Sequence, residues 1–132
     1  MAAKRLLVID DEPEFCNFVR EVAEGAGFDV IVASGADEFR HAYRERDPGV
    51  VVVDVVMPDV DGIELVNWLA DQGCTAQVLV MTGYNPQYAD AAVVLGNVQG
   101  LNVRRYSKPV RVATLREALG VAGGDTATER PA

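Results

Sequence analysis

Residues suited to redox, zinc or membrane chemistry are scarce in this sequence. Of 132 residues two are cysteine, one is histidine and one is tryptophan. Cys16 and Cys74 stand far apart, form no CxxC pair and have no neighbouring histidine. They suit buried small hydrophobes in a reduced cytoplasm better than a disulfide or a zinc site. Positive charge is also in short supply: 12 Lys plus Arg face 20 Asp plus Glu, for a formal net charge of −8. Such a chain lacks the basic face that a phosphate backbone demands, so no nucleic-acid partner is expected. No segment approaches the ~18 consecutive apolar residues of a spanning helix. The start, Met1 to Arg5, runs into only four apolar residues before Asp10, so no signal peptide is expected. No GxGxxG follows a strand-like run, which removes a dinucleotide site.

What is present is a regular alternation of short apolar runs and amphipathic stretches. Arg5–Ile9, Phe28–Val32, Val50–Val53, Gln77–Met81 and Asn102–Ser107 read as strands. Between the first two, Phe15, Phe18, Val19, Val22 and Ala26 recur with helical spacing, and Pro13 suits the first turn. Ala36, Phe39 and Tyr43 mark a second helix; Ile63, Val66, Leu69 and Ala70 a third. Ala89, Ala92, Val93 and Gly96 mark a fourth, and Val112, Leu115, Leu119 and Ala122 a fifth. The Val50–Val53 run is apolar on both faces, as a central parallel strand should be. This alternation predicts an α/β fold with a doubly wound parallel sheet in one domain over residues 1–122. Residues 123–132 have no apolar period and are expected to form a disordered tail.

In open α/β sheets ligands bind at the carboxyl ends of the strands. Those ends carry Asp10 and Asp11, then Asp54, then Thr82, then Lys108 and Pro109. Asp54 interrupts an otherwise apolar stretch from Val50 to Met57. If the first and third strands are neighbours, ~4.8 Å apart, three carboxylates converge. Carboxylates that close do not all ionise comfortably without a cation, and with no His or Cys at hand Mg²⁺ fits best. A carboxylate, a hard metal, a hydroxyl and an ammonium together suit phosphoryl chemistry. Asp54 would attack phosphorus while Mg²⁺, Thr82 and Lys108 hold the equatorial oxygens.

Four segments in order then resemble the response-regulator receiver domain of two-component signalling, in its single-domain, chemotaxis-type form. They are Val8-Ile9-Asp10-Asp11-Glu12-Pro13, the run from Val53-Asp54 to Asp61-Gly62, Met81-Thr82-Gly83, and Ser107-Lys108-Pro109. The resemblance implies a flavodoxin-like five-stranded sheet of order 2-1-3-4-5. It implies Asp54 as phosphoacceptor, Asp11 as a direct Mg²⁺ ligand, Asp10 as a ligand through water, and the Val56 backbone carbonyl as a further ligand. Thr82 would contact the phosphoryl group and move with it, Lys108 would bridge Asp54 and that group, and the Lys108–Pro109 peptide would be cis. The implied partners are a sensor histidine kinase or a histidine phosphotransfer protein and a downstream protein, in a cytoplasmic phosphorelay. Such a module is not an enzyme beyond assisting its own phosphorylation and dephosphorylation.

Two other functions compete. A pseudo-receiver would bind partners without phosphorylation, against which the intact acidic cluster and Lys108 argue. A haloacid-dehalogenase-type phosphatase wants a second Asp two residues after the nucleophile, where this chain has Val56. Val56 and Tyr84, two after Thr82, are expected to flank the line of water attack and slow hydrolysis. The chain also departs from the family. Its fourth helix region is lengthened through Leu95–Leu101, and the aromatic usual three residues before the lysine is Arg105, with Tyr106 one place late. Strand alternation puts Tyr106 on the lysine's face and Arg105 on the fourth-helix face unless a bulge slips the register. Arg105 and Tyr106 are thus the candidate output residues, with the usual threonine–aromatic coupling absent or replaced.

Overall fold

The structure, a computed structural model, describes residues 4–83 and 86–120. Five parallel strands, β1 (Lys4–Ile9), β2 (Phe28–Ala33), β3 (Val50–Asp54), β4 (Gln77–Thr82) and β5 (Asn102–Ser107), form one sheet of order β2-β1-β3-β4-β5. They alternate with α1 (Pro13–Gly25), α2 (Ala36–Arg46), α3 (Gly62–Asp71), α4 (Pro86–Val98) and α5 (Val112–Ala118). The doubly wound parallel sheet expected from the alternation is present, in the flavodoxin-like strand order that the resemblance implies, with strand ends displaced by one residue at most. β3 reaches Asp54 and β4 reaches Thr82, so two polar residues close the strands rather than follow them. The proposed tail, the end of the expected fifth helix and Tyr84 lie outside the described residues.

The sheet divides the core in two. One layer packs Leu6 and Val8, Val50 and Val52, and Leu79 and Met81 against Cys16 and Val19 of α1 and Leu115 of α5. The other packs Leu7 and Ile9, Val51 and Val53, and Val78 and Val80 against α2, α3 and α4. Val51, Val52 and Val53 are all fully buried, which is why β3 shows no polar alternation. Both cysteines are free and buried, as small apolar fillers should be. Trp68 is also packing. Its ring meets Phe39 and Tyr43 edge-on, and the Arg40 and Arg44 guanidiniums lie over it.

Two glycines set the geometry near the strand ends. At Gly62 a Cβ would overlap the Val55 Cα and lie 2.6 Å from the Asp54 carbonyl oxygen, so the start of α3 can press on the end of β3 only without a side chain. Asp61 caps that helix by accepting from the Ile63 amide at 2.9 Å. Gly100, at φ +93°, turns the chain from α4 into β5. The residues that lengthen this region continue α4 and close it with the Leu101 amide donating to the Gly96 carbonyl at 2.9 Å.

Candidate phosphoacceptor site

Strand parity assembles the site. On β1 the side chains of Leu6 and Val8 enter the α1/α5 layer, and two residues on comes Asp10. On β3 the same count from Val50 and Val52 gives Asp54, and on β5 it gives Lys108 after Tyr106. Because β1 and β3 are paired neighbours, Ile9 lies beside Val53 and the two acidic ends meet. Carboxylate oxygens of Asp10, Asp11 and Asp54 lie within 4.8 Å of one another. Asp10 and Asp54 are buried while Asp11 is exposed.

Lys108 occupies the middle of this cluster. Its Nζ lies 2.8 Å from Asp10 Oδ2, 2.8 Å from Glu12 Oε1 and 3.4 Å from Asp54 Oδ2. It also sits over the Phe15 ring, 4.5 Å from the centroid. The Lys108–Pro109 peptide is cis, and the Lys108 amide donates to the Thr82 carbonyl at 2.8 Å. Beyond its ion pair with Lys108, Asp10 Oδ2 has no hydrogen-bond partner among the described residues. Asp10 Oδ1 accepts from the Glu12 amide at 2.9 Å and Asp54 Oδ1 from the Val56 amide at 3.0 Å. The Thr82 hydroxyl is buried and likewise has no hydrogen-bond partner among the described residues.

Burial dominates the electrostatics. Desolvation raises the Asp54 pKa from 3.8 to about 6, against the lowering effect of the Val56 amide and Lys108; the Asp10 charge adds to the rise. Burial also raises Asp10, despite Lys108 and the Glu12 amide. For Lys108 burial opposes the charge, but Asp10, Glu12 and Asp54 outweigh it and the ammonium is held more firmly protonated than usual. An all-oxygen donor set suits a hard cation. Oxygens of all three carboxylates lie within 4.8 Å of one another, close enough to share one cation, and the buried Asp10 Oδ2 has only the Lys108 ammonium beside it among the described residues. The residues present therefore fit Mg²⁺.

Beside the cluster a cavity of about 950 Å³ opens between the start of α1 and the β5–α5 connection. Phe15, Phe18, Pro109 and Val110 form its apolar part, with Asp11, Glu12, Glu14 and Lys108 also lining it. Val56 is 39% exposed beyond Asp54.

The sequence profile of the response regulator receiver domain matches residues 6–120. The chain belongs to this family. It is 26% identical over 117 residues to the chemotaxis protein CheY of Halobacterium salinarum, covering 89% of this chain and 98% of that one. It is 32% identical over 85 residues to the alkaline phosphatase synthesis transcriptional regulatory protein PhoP of Bacillus subtilis, covering 64% of this chain and 35% of PhoP. The chain thus spans about a third to a half of the length of several transcriptional regulators it resembles. The CheY-like receiver domain structure from Methanospirillum hungatei superposes with a TM-score of 0.78 at 22% identity, over 97% of this chain and 99% of that one. This receiver domain therefore has the fold of its relatives around its own acidic cluster.

The β4–β5 register runs unbroken from Gln77 beside Asn102 to Thr82 beside Ser107. Tyr106 is half-buried against the α1/α5 layer, and Arg105 pairs with Asp90 of α4 at 3.4 Å. No bulge carries the tyrosine to the α4 side. Glu12 is the site residue that sequence reasoning missed. In sequence it is one more acid in the Asp10-Asp11-Glu12-Pro13 run, and only the return of β5 beside β4 brings Lys108 to it.

Proposed function

We propose that this receiver domain is a phosphoacceptor module in which Asp54 takes a phosphoryl group from a phosphohistidine on a sensor kinase or histidine phosphotransfer protein. The observation carrying this reading is the buried Asp54 carboxylate beside the oxygens of Asp10 and Asp11, with Lys108 Nζ 3.4 Å away. An Asp54 oxygen forms a bond to phosphorus as the phosphorus–nitrogen bond of the donor breaks, and the electron pair leaves with the imidazole. With its pKa near 6, most Asp54 is ionised at neutral pH and able to attack. Lys108 holds the transferred oxygens by charge, and the Thr82 hydroxyl, which has no hydrogen-bond partner among the described residues, donates to one of them. Asp10, Asp11, Asp54 and the Val56 carbonyl would hold Mg²⁺, which supplies positive charge against the phosphoryl oxygens when bound.

The domain is a signalling module rather than an enzyme acting on an outside substrate, and its output is a change in protein binding. Thr82, Arg105 and Tyr106 are the candidate relay to that output. Among the described residues no helix is long and apolar enough to cross a membrane. Intact-mass measurement after treatment with acetyl phosphate and Mg²⁺ tests the assignment. One added phosphoryl group is expected, lost in Asp54→Asn and sharply reduced by chelator. Equal labelling of Asp54→Asn would overturn the site, and no labelling of the unaltered protein would favour a pseudo-receiver.

A further inference from the structure

Lys108 has more carboxylates than one ammonium can serve equally, and its position shows which ones hold it. Nζ is 2.8 Å from Glu12 and from Asp10 but 3.4 Å from Asp54, the residue it is proposed to assist. Glu12 differs from the other two in being exposed, with 62% of its side chain accessible against 6% for Asp54 and none for Asp10. Its backbone is nonetheless fixed. The Glu12 amide donates to Asp10 Oδ1, and its carbonyl accepts from the amides of Phe15 and Cys16 at the start of α1. The carboxylate is therefore a tethered anion at the cavity mouth. It draws the ammonium outward over the Phe15 ring.

We propose that Glu12 is a positioning residue that competes with the phosphoryl group for Lys108. This rests on the phosphoacceptor reading of Asp54 and adds a regulatory contact to it. In the unphosphorylated protein Glu12 and Asp10 hold the ammonium. Once a phosphoryl group is on Asp54, Lys108 turns to it and leaves Glu12 to water, which an exposed carboxylate tolerates and a buried one does not. The Glu12–Lys108 pair thus stabilises the unphosphorylated state selectively and lowers the phosphorylated fraction at a given donor concentration.

The test compares steady-state phosphorylation by acetyl phosphate with Mg²⁺ in the unaltered protein, Glu12→Gln, Glu14→Gln, Lys108→Met and the Glu12→Gln/Lys108→Met double variant. Glu12→Gln is expected to raise the ratio of phosphorylated to unphosphorylated protein about two- to fivefold, the range of a partly exposed ion pair. Glu14, which shares the cavity rim but not the lysine, should show no such gain, nor should Glu12→Gln in the Lys108→Met background. An equal gain from Glu14→Gln, a gain that survives loss of Lys108, or no gain at all would overturn the proposal. The same cycle followed by urea unfolding of metal-free protein is a second measurement that needs no phosphorylation. Glu12→Gln should lower stability only where Lys108 is present, and additive effects would overturn the pair. If no variant takes up phosphate, the Asp54 reading fails, while the unfolding cycle still decides whether Glu12 holds Lys108.

Discussion

The ends of β1 and β3 and the edge formed by β5 and α4 treat charge in opposite ways. At the first, Asp10 and Asp54 are sealed among apolar residues and share an ammonium that is 15% exposed. At the second, Arg105 and Asp90 pair at 3.4 Å with side chains 40% and 64% exposed, beside Val94 and Val98 of α4, which face solvent. Charges in water gain little by pairing, whereas charges in an apolar setting are costly unless something binds them. The first region therefore holds its carboxylates at an energetic disadvantage that a bound cation would relieve. The second region is adjusted only by small energies.

The sharpest way to break this contrast is to disturb the backbone under Asp54. Gly62→Ala places a methyl group against the Val55 Cα and the Asp54 carbonyl, both backbone, so α3 or β3 must move. A loss of about 3 kcal/mol in urea unfolding is expected, together with weaker labelling of Asp54. An alanine of unchanged stability would mean that α3 is free to shift.

Removing the buried charge should act in the other direction. Asp54 has a folded-state pKa of about 6 against 3.8 for an ordinary carboxyl, so the folded protein binds the proton more tightly than the unfolded chain. Stability contributed by this group is therefore greatest below pH about 4 and falls as pH rises to about 6. Asp54→Asn should stabilise the metal-free protein by about 2–3 kcal/mol at pH 7 and by almost nothing at pH 3.5. Equal stabilisation at both values would mean that the charge is not the cause.

Cation binding should relieve part of the same penalty. With Mg²⁺ at ten times its dissociation constant, unfolding should become harder by about 1.4 kcal/mol, reversed by chelator. Asp11→Asn should diminish the gain, and a gain of full size in that variant would remove Asp11 from the ligand set. The smallest effect belongs to the α4 edge. Arg105→Gln and Asp90→Asn should each cost about 0.5 kcal/mol or less, with the double variant no worse than either. A coupling well above that would show that this pair clamps α4 as firmly as Lys108 clamps the acidic end.

Much of this was legible in the residues alone because it depends on near neighbours. Alternating apolar runs and helical stripes determine five strands and five helices, since periods of about 2 and 3.6 residues are properties of the local backbone. Parity along β5 likewise puts Arg105 and Tyr106 on opposite faces, as the unbroken β4–β5 register has them. Asp10, Asp11 and Asp54 could be brought together by supposing β1 and β3 adjacent, because a parallel sheet aligns strand ends. What only the tertiary structure decided is how those groups share their partners. Glu12 and Lys108 are 96 residues apart, and their 2.8 Å contact exists only because β5 joins the sheet beside β4 and brings its carboxyl end to the start of α1. Burial of Asp54, and with it the rise of its pKa, follows from the packing of both layers around the strand ends rather than from any neighbour in sequence. A side chain's chemistry is written in its residue type, but the solvent it loses and the charge it meets depend on every element folded around it.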